Sequence, residues 1–401
     1  MNSLPEDLLS WLHVKDVDAD ELRYLLMTDI RGGVLHHGGQ QDVLYGAGAE
    51  NEFTFLKVRH DPATDAIVAI EPGPELTFDL LENLRLRIEK ELIESTTTMV
   101  GRAILLSESP LDGYFRYANT LQLLPVPPEA PRVVWAPGLS ARHPFVLEVQ
   151  FPGSTIPAIN NFRRLKATLD FELTLGALIR GSIRSAMGDG RFHWVTAQPE
   201  ASDSERPSEF LKEGYMWPGM HNDSDEFASA SHSKPIPEVE PIDYYAIEPW
   251  TPTMTLTIPA NLAAQLDRFD RLNHELRQRW LRACRWFQHS SLVRSYSYSA
   301  AFAALVISVE SLIPEDTQNH RKFERFEDFV RRHVTAGNLP KDRVKRFHDI
   351  RSQFLHGNQL HYFDNNPLWI GLTPAMQQSL EDFNQMRQVA RRVLVEWLAR
   401  S

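Results

Sequence analysis

Apolar residues recur with helical spacing most clearly in the last third of the chain. Between 261 and 287, Leu262, Leu266, Phe269, Leu272, Leu276, Trp280, Cys284 and Phe287 follow one another every three or four residues, the period of one helix face. Asn261 stands where an N-cap is expected. The next helix is predicted over 298–313, with no charge between Arg294 and Glu310. A helix that is apolar all round belongs in the middle of a bundle, and Pro314 ends it. Further helices are predicted over 323–334, 341–356 and 374–398. The last turns Met376, Leu380, Phe383, Val389, Val393 and Trp397 inward. This third reads as an all-helical bundle.

The first 260 residues mix the two periods. Short helices are predicted over 4–14 and 20–27. Strands over 53–58 and 66–70 are separated by the turn signal Asp61-Pro62, which suggests a hairpin. Leu81, Leu84, Ile88 and Leu92 mark a helix over 80–93. From 107 to 144 prolines and turn residues dominate, so loops and edge strands are expected there. Residues 145–151 alternate as a strand. Residues 160–185 read as a helix whose apolar face holds Phe162, Leu165, Leu169, Leu173, Leu175 and Leu178. Residues 198–253 are rich in Pro, Ser, Asp and Glu, the composition of a partly flexible linker. Within them Trp217, Tyr244, Tyr245 and Trp250 suggest points that dock on the folded body. One more strand is predicted over 253–258. The expected fold class is therefore α+β, with a mixed α/β region over 1–197, a linker over 198–253 and the helical bundle over 254–401.

Composition narrows the classes. Apolar residues make up 42% and charged residues 24%, ordinary for a globular chain, and 401 residues suffice for two or three domains. The acidic start, MNSLPEDLLSWLHVKD, does not resemble a secretory signal. The longest uncharged apolar run, near 300–309, falls short of the roughly 20 residues a membrane span needs. A lone cysteine, Cys284, excludes an intrachain disulfide and a cysteine-based zinc site. A cytoplasmic protein without membrane association is expected. The net charge of −11 is unevenly divided: from Asn261 onward 18 Arg and 3 Lys face 15 Asp and Glu, giving +6, and the first 260 residues carry −17. The helical third has the sign that a phosphate backbone attracts. Two oppositely charged regions docking on each other would show the same split.

Three Arg-x4-His pairs occur: Arg31–His36, Arg343–His348 and Arg351–His356. Such spacing is weak on its own, and context separates them. The core stripe of the helix over 341–356 reads Val344, Phe347, Arg351, Phe354 and Leu355. Arg351 thus lies among apolar positions, where a guanidinium needs an anionic partner. His356 falls at the helix end, before Gly357, a residue suited to the left-handed stop position. Five residues of regular helix separate two side chains by roughly 140°, so the pair converges only if His356 leaves the helix. A carboxyl-terminal imidazole can serve as general acid or base. A structural alternative stays open, in which Arg351 pairs with Glu310 and His356 is a cap. The glycine-rich stretch RGGVLHHGGQQDVLYGAGAE, with Arg31, His36 and His37, reads as a flexible loop, with a metal or ligand site as its alternative.

AFAALVISVESLIPED followed by HDIRSQFLHGN resembles the Apea-like branch of the HEPN superfamily. Glu310-Ser311-Leu312 matches its Glu-x-Leu pattern, and Arg351-Ser352-Gln353-Phe354-Leu355-His356-Gly357 matches its Arg-Ser-x-x-x-His-Gly pattern. RWLRACRWFQHSS is similar to the family's first long helix. The resemblance covers the bundle only. It implies a metal-independent endoribonuclease in which the 2′-hydroxyl attacks the adjacent phosphate. Arg351 would hold the phosphate and His356 act as general acid or base, with Ser352, Glu310 and Asn358 in support. It implies an RNA substrate, a homodimer, no cofactor and no metal, and a role as a toxin or phage-defence effector. The region before it would be a regulatory module open to a protein or ligand. His348 departs from the aromatic residue usual three positions before the arginine. The rival expectation is a non-catalytic HEPN protein that binds RNA or a nucleotide, or that dimerises.

Overall fold

The computed structural model describes residues 4–15, 17–29, 34–36, 42–45, 55–61, 67–94, 97–128, 130–135, 142–181, 183–185, 194–197, 209–211, 224, 226–229, 234–246, 254–314, 322–334, 339–356, 360–365 and 373–401. The fold is α+β: sheets and helices mix in the amino-terminal region, and the carboxyl-terminal region is helical. Two compact units emerge, Met1–Val100 with Gln150–Ala167, and Gly101–Val149 with Thr168–Ser401. This partition differs from the linear division into 1–197, 198–253 and 254–401.

In the first unit α1 (Leu4–Val14) and α2 (Ala19–Asp29) precede an antiparallel sheet in the order β1 (Val34–His36), β2 (Asp42–Tyr45), β3 (Leu56–His60) and β4 (Ile67–Pro72). α3 (Phe78–Ile88) follows and runs into a wider π-type turn over Glu89–Ile93. Leu8, Leu12, Leu25, Leu26, Leu56, Val58 and Ile88 form one buried cluster. β1 and β2 pair through Val34↔Tyr45 and His36↔Val43, so part of the glycine-rich stretch is a hairpin and not the expected loop. Its apolar pairs Val34-Leu35 and Val43-Leu44 are too short to carry a period, and the glycines around them mask the signal. Arg163 is buried in this unit. It forms a forked pair with Glu21 at 2.9 and 2.6 Å and donates to the carbonyls of Gly153 (3.1 Å) and Leu92 (2.9 Å). A buried guanidinium needs that full set of acceptors.

The strand β5 (Thr98–Ser107) lies outside every patterned segment of the sequence. With β6 (Phe115–Tyr117), β7 (Leu121–Pro125), β9 (His143–Pro152) and β10 (Arg184–Ser185) it forms a sheet in the order β10-β5-β9-β7-β6; β8 (Arg132–Trp135) belongs to another sheet. β7 corrects the expectation of loops and edge strands over 107–144: Leu121 to Leu124 are all buried in the sheet's interior. A polar Gln122 inside the short Leu121–Leu124 stretch and the prolines that follow it hide the strand. Buried Glu148 on β9 is satisfied by Arg102 (2.6 Å) and by the side-chain amide of Gln122 (3.2 Å). α4 (Pro157–Leu178) stops earlier than expected, before Gly181 at φ 91°, a value that suits only glycine without strain. Leu173, Leu175 and Leu178 of the expected face are buried, with Ile159 and Phe171 beside them, while Leu165 and Leu169 are exposed, so the expected face holds in the second half of the helix only.

β11 (Trp194–Ala197) and β12 (Glu209–Leu211) join β8, and β13 (Glu238–Val239) pairs in parallel with β14 (Ile258–Pro259). The strand expected over 253–258 is reduced to that short pair. Between them lies α5 (Pro241–Tyr244). Tyr244 and Tyr245 at its end are buried; the Tyr245 hydroxyl donates to the Leu178 carbonyl at 2.7 Å. Trp217 and Trp250 lie outside the described residues.

The helices are α6 (Leu262–Arg271), α7 (His274–Val293), α8 (Tyr298–Glu310), α9 (Lys322–His333), α10 (Lys341–Leu355), α11 (Tyr362–Asn365) and α12 (Pro374–Arg400). The first periodic stretch is therefore two helices. Leu272 is extended, and Asn273 caps α7 by accepting from the Leu276 N–H at 2.9 Å. Asn261 takes the N-cap position of α6 without a side-chain bond. α8 is packed by α7, α10 and α12, and its apolar residues from Ala301 to Val306 are buried. Trp280 on α7 is fully buried, stacks on Trp397 with centroids 6.0 Å apart and donates to the Thr174 hydroxyl at 3.2 Å. Replacing it, Trp280→Ala, is expected to destabilise the helical unit by about 3–5 kcal/mol. A urea titration followed by far-ultraviolet circular dichroism checks this, and a loss under about 1 kcal/mol would contradict the packing.

Candidate functional site

α10 begins after Pro340, whose extended backbone sets up the first turn. Its cations divide between two partners. Arg343 and Arg346 converge on buried Asp382 of α12, at 3.0 Å from Arg343 Nη1 and 2.6 Å from Arg346 Nη2. This arrangement fixes α10 on α12, and it engages the arginine of the Arg343–His348 pair. Arg351, further along, turns to α8: its Nη2 donates to Glu310 Oε2 at 3.0 Å, with both side chains about one quarter exposed. Its Nε is buried without an acceptor. The bond makes sense from sequence alone, because Glu310 is the single charge of an otherwise apolar helix and Arg351 lies on an apolar stripe.

The other expected site residues fall as follows. Ser352 is half-buried, and its backbone carbonyl accepts from the His356 N–H at 3.1 Å. His356 is exposed at the C-cap of α10, with φ −87° and ψ 1°, so it has left the regular helix. Among the described residues its imidazole makes no hydrogen bond, and none links it to Arg351. Gly357 and Asn358 lie outside the described residues, as do Arg31 and His37. Val344 and Phe347 are buried as expected, but Leu355 is 51% exposed. The apolar stripe of α10 thus ends one residue before its helix does.

His348, one turn before Arg351, belongs to this group. Burial pushes its pKa down, the Glu310 carboxylate acts to raise it and the Arg351 guanidinium to lower it. Its ring lies 6.0 Å from that of Phe326. The signal for it is the three-residue spacing to Arg351, which in the sequence reads only as a departure from a pattern. Glu310, His348 and Arg351 together offer one anion, one cation and one titratable ring.

A second histidine anchors the neighbouring core. His361 is buried; its Nε2 lies 3.2 Å from the Ser379 carbonyl, and its Nδ1 accepts from the Phe363 N–H at 3.4 Å. These partners require the neutral ring with the proton on Nε2. Tyr298 and Phe363 both stack on its ring, and Asp364 caps α8 through the Ser299 and Tyr298 N–H groups. No family model, curated protein or solved structure matches the chain.

Burial pushes His361 below its ordinary value of 6.5, against the Ser379 carbonyl and the Asp364 and Asp382 carboxylates. The unfolded chain then binds the extra proton first. The stability that the neutral ring contributes is present above pH 6.5 and lost as pH falls through the lowered folded value. Denaturation midpoints measured between neutrality and mild acid should fall for the wild type and fall less for His361→Gln. Equal slopes would remove His361 from the account.

Proposed function

We propose that the chain is a metal-independent endoribonuclease of the HEPN type, acting as a toxin or phage-defence effector. Its substrate is RNA and its working form a homodimer in the cytoplasm. The amino-terminal region serves as sensor or regulator. One observation carries the reading: Glu310 holds Arg351 by a single amino group, while His356 stands exposed at the end of the same helix. The remaining guanidinium donors suit a phosphate that gains negative charge during attack. In the reaction the 2′-oxygen forms a bond to phosphorus, the bond to the 5′-oxygen breaks, and the products are a 2′,3′-cyclic phosphate and a 5′-hydroxyl. His356 takes the proton from the attacking hydroxyl or gives one to the leaving oxygen.

The Arg351–Glu310 ion pair also favours a second reading, in which the pair is structural and the bundle binds RNA or a nucleotide without cutting, or only dimerises. Incubation of total RNA with wild type and with His356→Ala, both in EDTA, separates the two. The nuclease reading expects EDTA-resistant cleavage leaving cyclic-phosphate ends, reduced at least about a hundredfold in His356→Ala. Matched circular dichroism spectra would show that the variant folds. Absence of cleavage by wild type, or equal cleavage by both, removes the nuclease reading and leaves the second.

A further inference from the structure

The cations of α7 fall into two groups. Arg277 pairs with Asp170 at 3.2 Å and lies over the Phe269 ring, and Arg279 pairs with Glu275 at 2.9 Å. Arg282 and Arg285 are exposed, and among the described residues their side chains form no hydrogen bond and no ion pair. Trp286, 36% exposed, stands beside them and meets the His289 ring edge-on, with centroids 5.6 Å apart. Leu292 is exposed further along. At 100° per residue these five positions fall within about 120° of the helix circumference, and those three or four apart are neighbours. Trp280, Ala283, Cys284 and Phe287 fill the opposite face and are buried. The outward stripe is therefore one continuous surface on a well-packed helix.

Its sign and its rings decide what it fits. A solvated helix face usually intersperses carboxylates with its cations, but no Asp or Glu occurs between Glu275 and Glu310. A second copy of this face, brought up by a two-fold axis, would set Arg282 and Arg285 against cations with no carboxylate between them. The core of a protein interface is contiguous, apolar and poor in charge. Here His289 separates Trp286 from Leu292, and two unpaired guanidiniums flank them. A ring among unpaired cations is what a single strand of nucleic acid engages: bases stack on the ring, and guanidiniums hold the phosphates or stack on a base.

We propose that the outward face of α7, formed by Arg282, Arg285, Trp286 and His289, is a docking surface for a single-stranded polynucleotide. It does not rest on the ribonuclease reading, because binding there needs no cleavage. The probes are fluorescein-labelled oligothymidylate and 2′-O-methyl oligouridylate of about 12 nucleotides, neither of which has a hydroxyl that can attack its own phosphate. Anisotropy with the full chain should show saturable binding, and the two arms tell a deoxyribose strand from a ribose-type one. Trp286→Ala should weaken binding at least about fivefold, and Trp286→Phe, which restores a ring, less than about twofold. Arg282→Gln combined with Arg285→Gln should lower the slope of log K against log salt by about 1.4. Arg268→Gln, exposed on α6, should change affinity by less than about twofold. Matched melting temperatures show that the variants fold. No saturable binding at low salt, or equal binding by wild type, Trp286→Ala and the double variant, overturns the surface and leaves the ribonuclease reading standing. Polyglutamate that competes as well as the oligonucleotides overturns it in favour of an acidic protein. Binding that depends on α7 in a chain that cuts no RNA upholds the surface and removes the ribonuclease reading instead.

Discussion

The second unit is arranged around one constraint: α8 must be buried on every side, yet it ends in a carboxylate. A helix with apolar residues on all faces cannot sit at a surface, and α7, α10 and α12 close around it. Glu310 then arrives at the edge of that core, where an unpaired charge is costly. Arg351 resolves this from α10 across 3.0 Å. The pair is about one quarter exposed on each side, so its contribution to stability is modest, at most on the order of 1 kcal/mol. Its consequence is positional: it fixes the direction of one guanidinium near the open end of a helix.

The cations of α10 show how a fold sorts identical side chains. Arg343 and Arg346 are drawn to Asp382, which is buried and accepts from both. They act as fasteners between α10 and α12. Arg351 has a partner with spare capacity on both sides of the bond, and so retains donors for a further anion. Arg184 and Arg391 show a third condition, in which backbone carbonyls, and for Arg391 the Phe287 ring, hold the side chains. Arginine count alone distinguishes none of these; the neighbours do.

Long periodic segments are legible in the sequence. The helices expected over 4–14, 298–313 and 341–356 are present as α1, α8 and α10, the last two ending at Glu310 and Leu355, because burial of one face or of all faces imposes its period on the residues. Shorter elements are not legible in this way. β7 is a short stretch of leucines interrupted by Gln122 and followed by prolines, and β1 and β2 are islands among glycines. The break between α6 and α7 is hidden because the apolar period continues through it, while Asn273 competes for the backbone by capping. In the site, Glu310 as the partner of Arg351 is readable from its isolation in an apolar helix. The place of His348 beside them is not, since three-residue spacing on a helix says which side chains are neighbours and not which of them share a charge.

The claim on which the functional account turns is that Arg351 and His356 meet the same phosphodiester. Nuclear magnetic resonance of the Arg351 Nε–H and the His356 ring, during titration with an oligonucleotide whose 2′-hydroxyl is replaced by hydrogen, measures this without cleavage. The account predicts that both signals move together and saturate at one concentration. Signals that stay fixed while the oligonucleotide binds, or a His356 ring that moves alone, would contradict it.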